Sequence, residues 1–143
     1  MKKILISLIT ICALFVSSCD GDDGKNSSTN GIVQLTINGQ KKSFSIQSHS
    51  IDNGNGEKWI TFGGISGIEN IVLNINEGDS TLESISYTFG GLTYTELAGA
   101  FQSNATVSTH GHVTGTFSGK LTTNAENQVN LNVTEGMFEV TYQ

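Results

Sequence analysis

Val129-Asn130-Leu131-Asn132-Val133-Thr134-Glu135-Gly136-Met137-Phe138-Glu139-Val140-Thr141-Tyr142 is the stretch whose reading decides the fold. Apolar residues recur at every second position on both sides of Glu135-Gly136, the period of a half-buried strand and not of a helix. A two-residue turn at Glu135-Gly136 pairs Thr134 with Met137. Counting outward sets Val133 against Phe138, Leu131 against Val140 and Val129 against Tyr142, three apolar cross-strand pairs on one face. The expectation here is a closing β-hairpin.

The same parity runs back along the chain. Ala105, Val107, Val113, Phe117 and Leu121 occupy odd positions, with Thr106, Ser108, Thr114, Thr116, Ser118 and Lys120 between them. That parity survives a connection of odd length, so a three-residue loop His110-Gly111-His112 is expected, with both histidines at an exposed tip. Earlier come Ile85, Tyr87 and Phe89, then Ile71, Leu73 and Ile75, then Trp59, Ile60 and Phe62. These runs are separated by Glu77-Gly78-Asp79 and by a turn from Asp52 to Glu57. At the start Val33, Leu35 and Ile37 share a face, Asn38-Gly39 turns the chain, and Phe44 and Ile46 resume it. A four-residue connection places Leu35 opposite Phe44. Leu92 to Ser103 fits neither period, and Glu96 to Phe101 has the composition for a helical turn. The domain is therefore all-β, with about eight to ten short antiparallel strands. A two-sheet β-sandwich is the expected architecture, and a small β-barrel is the alternative.

The N-terminus reads differently. Lys2 and Lys3 precede an apolar run from Ile4 to Val16, which is the pattern of a secretory signal and too short to span a bilayer as a helix. Ser17 and Ser18 then lead into Cys19. Small residues directly before a cysteine suit a lipoprotein signal, with cleavage between Ser18 and Cys19 and a diacylglycerol thioether on the new N-terminal cysteine. Two or more acyl chains hold a protein on a membrane where one holds weakly. From Asp20 to Gly31 no residue is apolar, so residues 19–31 read as an acidic tether and residues 32–143 as the folded domain. Asp20, Asp22 and Asp23, next to the lipidated cysteine, resemble the export tag of surface lipoproteins in the Bacteroidota. That resemblance implies an outer-membrane, cell-surface location.

Composition excludes several functions. The 143-residue chain has 17 Gly, no Pro, 7 Lys plus Arg against 13 Asp plus Glu, and 2 Cys, for a net charge of −6. Without residues 1–18 there remain 5 Lys, no Arg and 13 acids, a net charge of −8, and Cys19 alone. An intrachain disulfide and a cysteine-rich zinc site are then impossible, and nucleic acid is a poor partner for an anionic surface without arginine.

Three segments carry a family resemblance: Leu35-Thr36-Ile37-Asn38-Gly39-Gln40-Lys41, Val113-Thr114-Gly115-Thr116-Phe117-Ser118-Gly119, and Val133-Thr134-Glu135-Gly136-Met137-Phe138-Glu139-Val140. The chain resembles the small β-sandwich lipoproteins of the Bacteroidota, which show an Ile-Asn-Gly-Lys turn, a Gly-Thr-Phe-Ser strand and a closing hairpin. Glu135 stands where that family often has Asn, and Leu92 to Ser103 matches none of its features. The resemblance implies a fold and an address. It brings no substrate, cofactor or catalytic residue.

Candidate chemistry is sparse. His110 and His112 form a His-x-His pair that, with His49, could hold a divalent metal if the three converged. Asp79-Ser80-Thr81 resembles the short O-glycosylation motif of the Bacteroidota, with Ser80 as acceptor. Asp52 to Glu57 offers alternating oxygen donors, but a plain turn explains them without the spacing of a calcium loop. Trp59 is expected to pack beside Phe62. The chain contains no nucleophile elbow, zincin motif or phosphate loop. The expectation is a non-catalytic, lipid-anchored binding or structural module with no cofactor and an unidentified protein or glycan ligand. Its alternatives are a lipocalin-like carrier of a small apolar molecule and a metal-dependent hydrolase on the histidines.

Overall fold

The computed structural model describes residues 28–54, 56–108, 111–124 and 128–143. The described residues are all-β. Eight strands follow one another: β1 (Thr29–Ile37), β2 (Gln40–Gly54), β3 (Glu57–Ser66), β4 (Glu69–Asn76), β5 (Thr81–Phe89), β6 (Leu92–Ser108), β7 (His112–Thr123) and β8 (Asn130–Tyr142). Each is antiparallel to the next, and β8 returns to β1 to close the sheet. Of the two architectures compatible with the sequence pattern, the chain takes the barrel and not the two-sheet sandwich. The closing ladder runs from Thr29 against Tyr142 to Ile37 against Val133. It includes Thr29 to Gly31, which the sequence reading gave to the tether.

Alternation along each strand sends one set of side chains into the barrel. Val33, Phe44, Ile60, Phe62, Ile71, Leu73, Ile75, Leu121, Val113 and Val140 are fully buried there. Eight strands enclose a space that side chains just fill. Phe101, Phe117 and Phe138 stack across β6, β7 and β8 with centroids 6.1 and 6.3 Å apart. Glycine makes that stack possible. A Cβ at Gly115 would collide with the Phe138 ring, and one at Gly136 with the Phe117 ring, so each ring lies flat on a neighbouring strand that has no side chain.

The opening stretch is one strand, not a hairpin. β8 runs through Glu135-Gly136, and both neighbours show a register shift there: Gln34 pairs Met137 while Thr36 pairs Thr134, and Phe117 pairs Gly136 while Gly119 pairs Val133. Glu135 has φ 52°. A left-handed residue before glycine serves a β-bulge as readily as a tight turn, and parity along the chain is the same in both. The real partner of Val133 is Ile37, and that of Phe138 is Val33.

Other turns also differ in detail. Asn38 (φ 48°) and Gly39 (φ 83°) form a two-residue connection with Ile37 opposite Gln40, so Phe44 faces Val33 and not Leu35. Two positive φ angles match the twist of the flanking strands, which favours the shorter turn. Ser108 pairs His112, so the β6–β7 loop is residues 109–111, and His112 opens β7.

Leu92 to Ser103 forms no helical turn. It lies within β6, and its lost periodicity has a cause: Glu96 pairs Leu121 but Phe101 pairs Gly119, so four residues of β6 bulge out against one of β7. β6 also parts from β5 there. The β5–β6 ladder covers only Ser86–Phe89 against Leu92–Thr95. Below it two side chains bridge the strands. The Glu96 carboxylate accepts the Ile85 N–H at 3.1 Å, and the Ser103 hydroxyl donates to the Leu82 carbonyl at 3.2 Å.

Candidate binding surface

Strand order fixes two ends. The chain enters β1 at Thr29 and leaves β8 at Tyr142 on the same end, which also carries the β2–β3, β4–β5 and β6–β7 connections. The turns at Asn38-Gly39, Gly67-Ile68 and Gly90-Gly91, together with the β7–β8 connection, lie at the opposite end.

Both mouths are plugged by the same trio of residue types. At the far mouth Lys42 Nζ lies 2.6 Å from Glu69 Oε1, and the Tyr87 hydroxyl donates to Glu69 Oε2 at 3.0 Å. Lys42 also sits 5.8 Å above the Phe89 ring. At the entry mouth Lys58 Nζ lies 2.6 Å from Glu77 Oε2, and the Tyr142 hydroxyl reaches Glu77 Oε1 at 3.5 Å. Parity explains both trios. Lys42 and Lys58 sit on the inward-facing set just where each strand runs out of core, so their stems pack inside while the ammonium groups meet a carboxylate at the rim. Burial, with the Glu69 hydrogen bond and charge beside it, pushes the Tyr87 phenol well above its ordinary value. Burial first, then the Glu77 charge, pushes Tyr142 up to about 12. Both tyrosines are thus held as neutral donors.

With the interior occupied, the features open to a partner are outside. Ile68 is 81% exposed on the β3–β4 turn, and Ile65, Phe89 and Leu92 remain 42%, 45% and 46% exposed on the same and the next far-end hairpin. Neighbouring turns thus raise four large apolar side chains at the end opposite the chain's entry. A wall concavity of about 580 Å³ lies beside the β8 bulge and is lined by Gln102, Asn104, Thr116, Ser118, Glu135 and Met137 among others. Amide and hydroxyl side chains line it together with Phe117 and Met137, and its one carboxylate is Glu135. Glu135 stands on its edge and accepts a hydrogen bond from the Thr36 hydroxyl at 3.3 Å.

The residues singled out from sequence are dispersed. Ser18, Cys19, Asp20, Asp22, Asp23 and His110 lie outside the described residues. His49 is half-buried on β2, hydrogen-bonded through Nδ1 to the Thr29 hydroxyl, with its ring 5.3 Å from that of Tyr142. His112 pairs with Glu139, Nε2 to Oε1 at 3.2 Å. Among the described residues no group of three His, Cys, Asp or Glu side chains is placed to hold a metal. Ser80 occupies the β4–β5 turn with φ 54° and lines a groove between β5 and β6. Trp59 is half-buried on β3, and Gly54 pairs Glu57 across the expected turn. Sequence reasoning missed the two Lys-Glu-Tyr plugs and the apolar far end. Lys42 and Lys58 could have been found, because each falls on the inward parity of its strand.

No protein-family model, curated protein or solved structure matches the chain.

Proposed function

We propose that this chain is a non-catalytic binding module, anchored to the outer membrane through a lipid on Cys19 and displayed at the cell surface with the far end of the barrel outermost. The observation that carries the reading is the opposition of the two ends: the chain enters β1 at one, and Ile65, Ile68, Phe89 and Leu92 are exposed at the other. Scattered surface apolar residues need no explanation, but four carried at one end by two hairpins successive around the barrel support an interaction site there. A rigid closed scaffold with a recognition patch on its turns is a common division of labour.

The carrier alternative finds less support, because fully buried Phe44, Phe62 and Phe138 fill the barrel and a Lys-Glu-Tyr trio occupies each mouth. The partner for the far end is a protein with an apolar contact surface.

Two measurements test the reading. Cys19→Ala is expected to release the protein from the membrane fraction, and a protease that cannot cross the outer membrane is expected to degrade the wild-type protein on intact cells. Membrane retention of the alanine variant refutes lipid anchoring. Full protection of the wild type refutes surface display.

A further inference from the structure

A Lys-Glu-Tyr trio stands in each mouth of the barrel, so the wall decides how the interior is reached. That wall has one weak junction. β5 and β6 share only four ladder pairs, next to the Gly90-Gly91 turn, whereas each of the other seven junctions shares at least seven. Toward the entry end two side-chain hydrogen bonds replace the ladder. The Ile85 N–H donates to Glu96 Oε2 at 3.1 Å, and the Ser103 hydroxyl donates to the Leu82 carbonyl at 3.2 Å. Both strands are irregular where the ladder stops: β5 bulges at Glu83 against β4, and β6 bulges over residues 97–100 against β7. Bulges bend the strands that carry them and terminate pairing. Water reaches this stretch, since Ser103 is exposed, Glu96 is half-buried, and a groove of about 300 Å³ is lined by Ser80, Leu82, Ser103 and Asn104 among others.

We infer that the barrel opens sideways at this seam, hinged on the ladder between Ser86–Phe89 and Leu92–Thr95, with Glu96 and Ser103 as its two latches. The other seven ladders stay closed in the open state. A ladder bond breaks only when backbone moves, whereas a side-chain latch lets go when one rotamer turns toward water. Local opening belongs to segments with few backbone hydrogen bonds and ready solvent contact, and the seam has both properties. Behind it lie Leu82, Ile85 and Ala105, all buried, with Phe101 packed against the same core. Release of the latches uncovers this apolar core from the side. The route to the interior is lateral, past neither plugged mouth. This inference stands apart from the display reading, which concerns the far end.

The test uses the purified full chain carrying Ile85→Cys or Val33→Cys. Ile85 is 1% exposed behind the seam, and Val33 is 0% exposed on β1, four strands away in either direction around the barrel. Alkylation by a small thiol reagent is followed in increasing urea, with peptide mapping to separate it from labelling of Cys12 and Cys19. The expected result is reaction at position 85 without urea and with a shallow urea dependence, against a steep dependence at position 33, because the slope scales with the surface an opening exposes. Adding Glu96→Ala should raise the rate at position 85 at least about tenfold, and Ser103→Ala at least about threefold. Val140→Ala removes core packing from ladders that stay closed, so it should lower the urea midpoint without changing the rate at position 85. An equally steep urea dependence at both positions, no acceleration by E96A, or acceleration by V140A in step with its loss of midpoint would each overturn the inference. If either cysteine variant does not fold, amide hydrogen exchange at Ile85 and Val33 of the unsubstituted chain makes the same comparison.

Discussion

Gly115 and Gly136 hold the Phe stack by having no side chain. An added methyl at Gly115 would strike the Phe138 ring and the Asn104 carbonyl oxygen, which belongs to backbone and cannot swing aside. Gly115→Ala is therefore expected to destabilise the barrel by about 1–3 kcal/mol, in the range of overpacked cores. Urea denaturation reads this directly, and an unchanged midpoint would show that the strands can part. Glu96 makes the opposite kind of contribution, because its carboxylate supplies an acceptor where the ladder has none. Glu96→Ala leaves the Ile85 N–H without that partner and should cost about 1–3 kcal/mol, whereas Glu96→Gln keeps an acceptor oxygen and should cost less than half as much. Equal losses for the two variants would mean that the hydrogen bond is not what stabilises the seam.

Strand β8 shows what a sequence can and cannot carry at the scale of an element. Every inward residue from Val133 to Tyr142 was legible from parity, as was the break at Glu135-Gly136. Its meaning was not, since an acidic residue followed by glycine suits a bulge and a turn alike in sequence, and the two part only in the structure, where Asn38 and Gly39 both have positive φ but at the bulge Glu135 does and Gly136 does not. The Asn38-Gly39 connection was legible as a turn, and only its length was misjudged. β6 was illegible from Leu92 to Ser103 because a four-residue bulge resets its register, so no single period fits. The left-handed φ of 52° at Glu135 gives a test of the bulge. Glu135→Val puts a β-branched residue in that conformation and should cost about 1–2 kcal/mol, while Glu135→Gly should be neutral to slightly stabilising. If valine were the better tolerated, β8 would run straight at this point.

For the whole molecule, closure was beyond the reach of local pattern. Alternating strands suit a sandwich and a barrel equally, and the deciding contact joins the first strand to the last. The candidate surface was hidden for a related reason, since only the strand order puts the Ile68 turn at the same end as the Phe89–Leu92 pair. The two mouth plugs make stability depend on pH at the alkaline end. Tyr142 is held at about 12 by burial and Glu77, and Tyr87 is raised further, so the unfolded chain gives up its phenol protons first, near pH 10. Stability is then fully retained below pH 10 and falls as pH rises toward 12. Tyr142→Phe should flatten that fall in urea midpoints measured between pH 9 and 12, and an unaltered slope would show that the phenol is not confined.

The display account rests on the far end meeting a partner while the entry end faces the anchor. A photo-crosslinking amino acid placed at Ile68, and separately at Glu57 on the entry-end hairpin, tests this most directly in intact cells expressing the full-length protein. The account predicts a discrete protein adduct from position 68, lost when Phe89 and Leu92 are both replaced by Asp, and no such adduct from position 57. Adducts from position 57 alone, or an adduct at 68 indifferent to the double replacement, would contradict it.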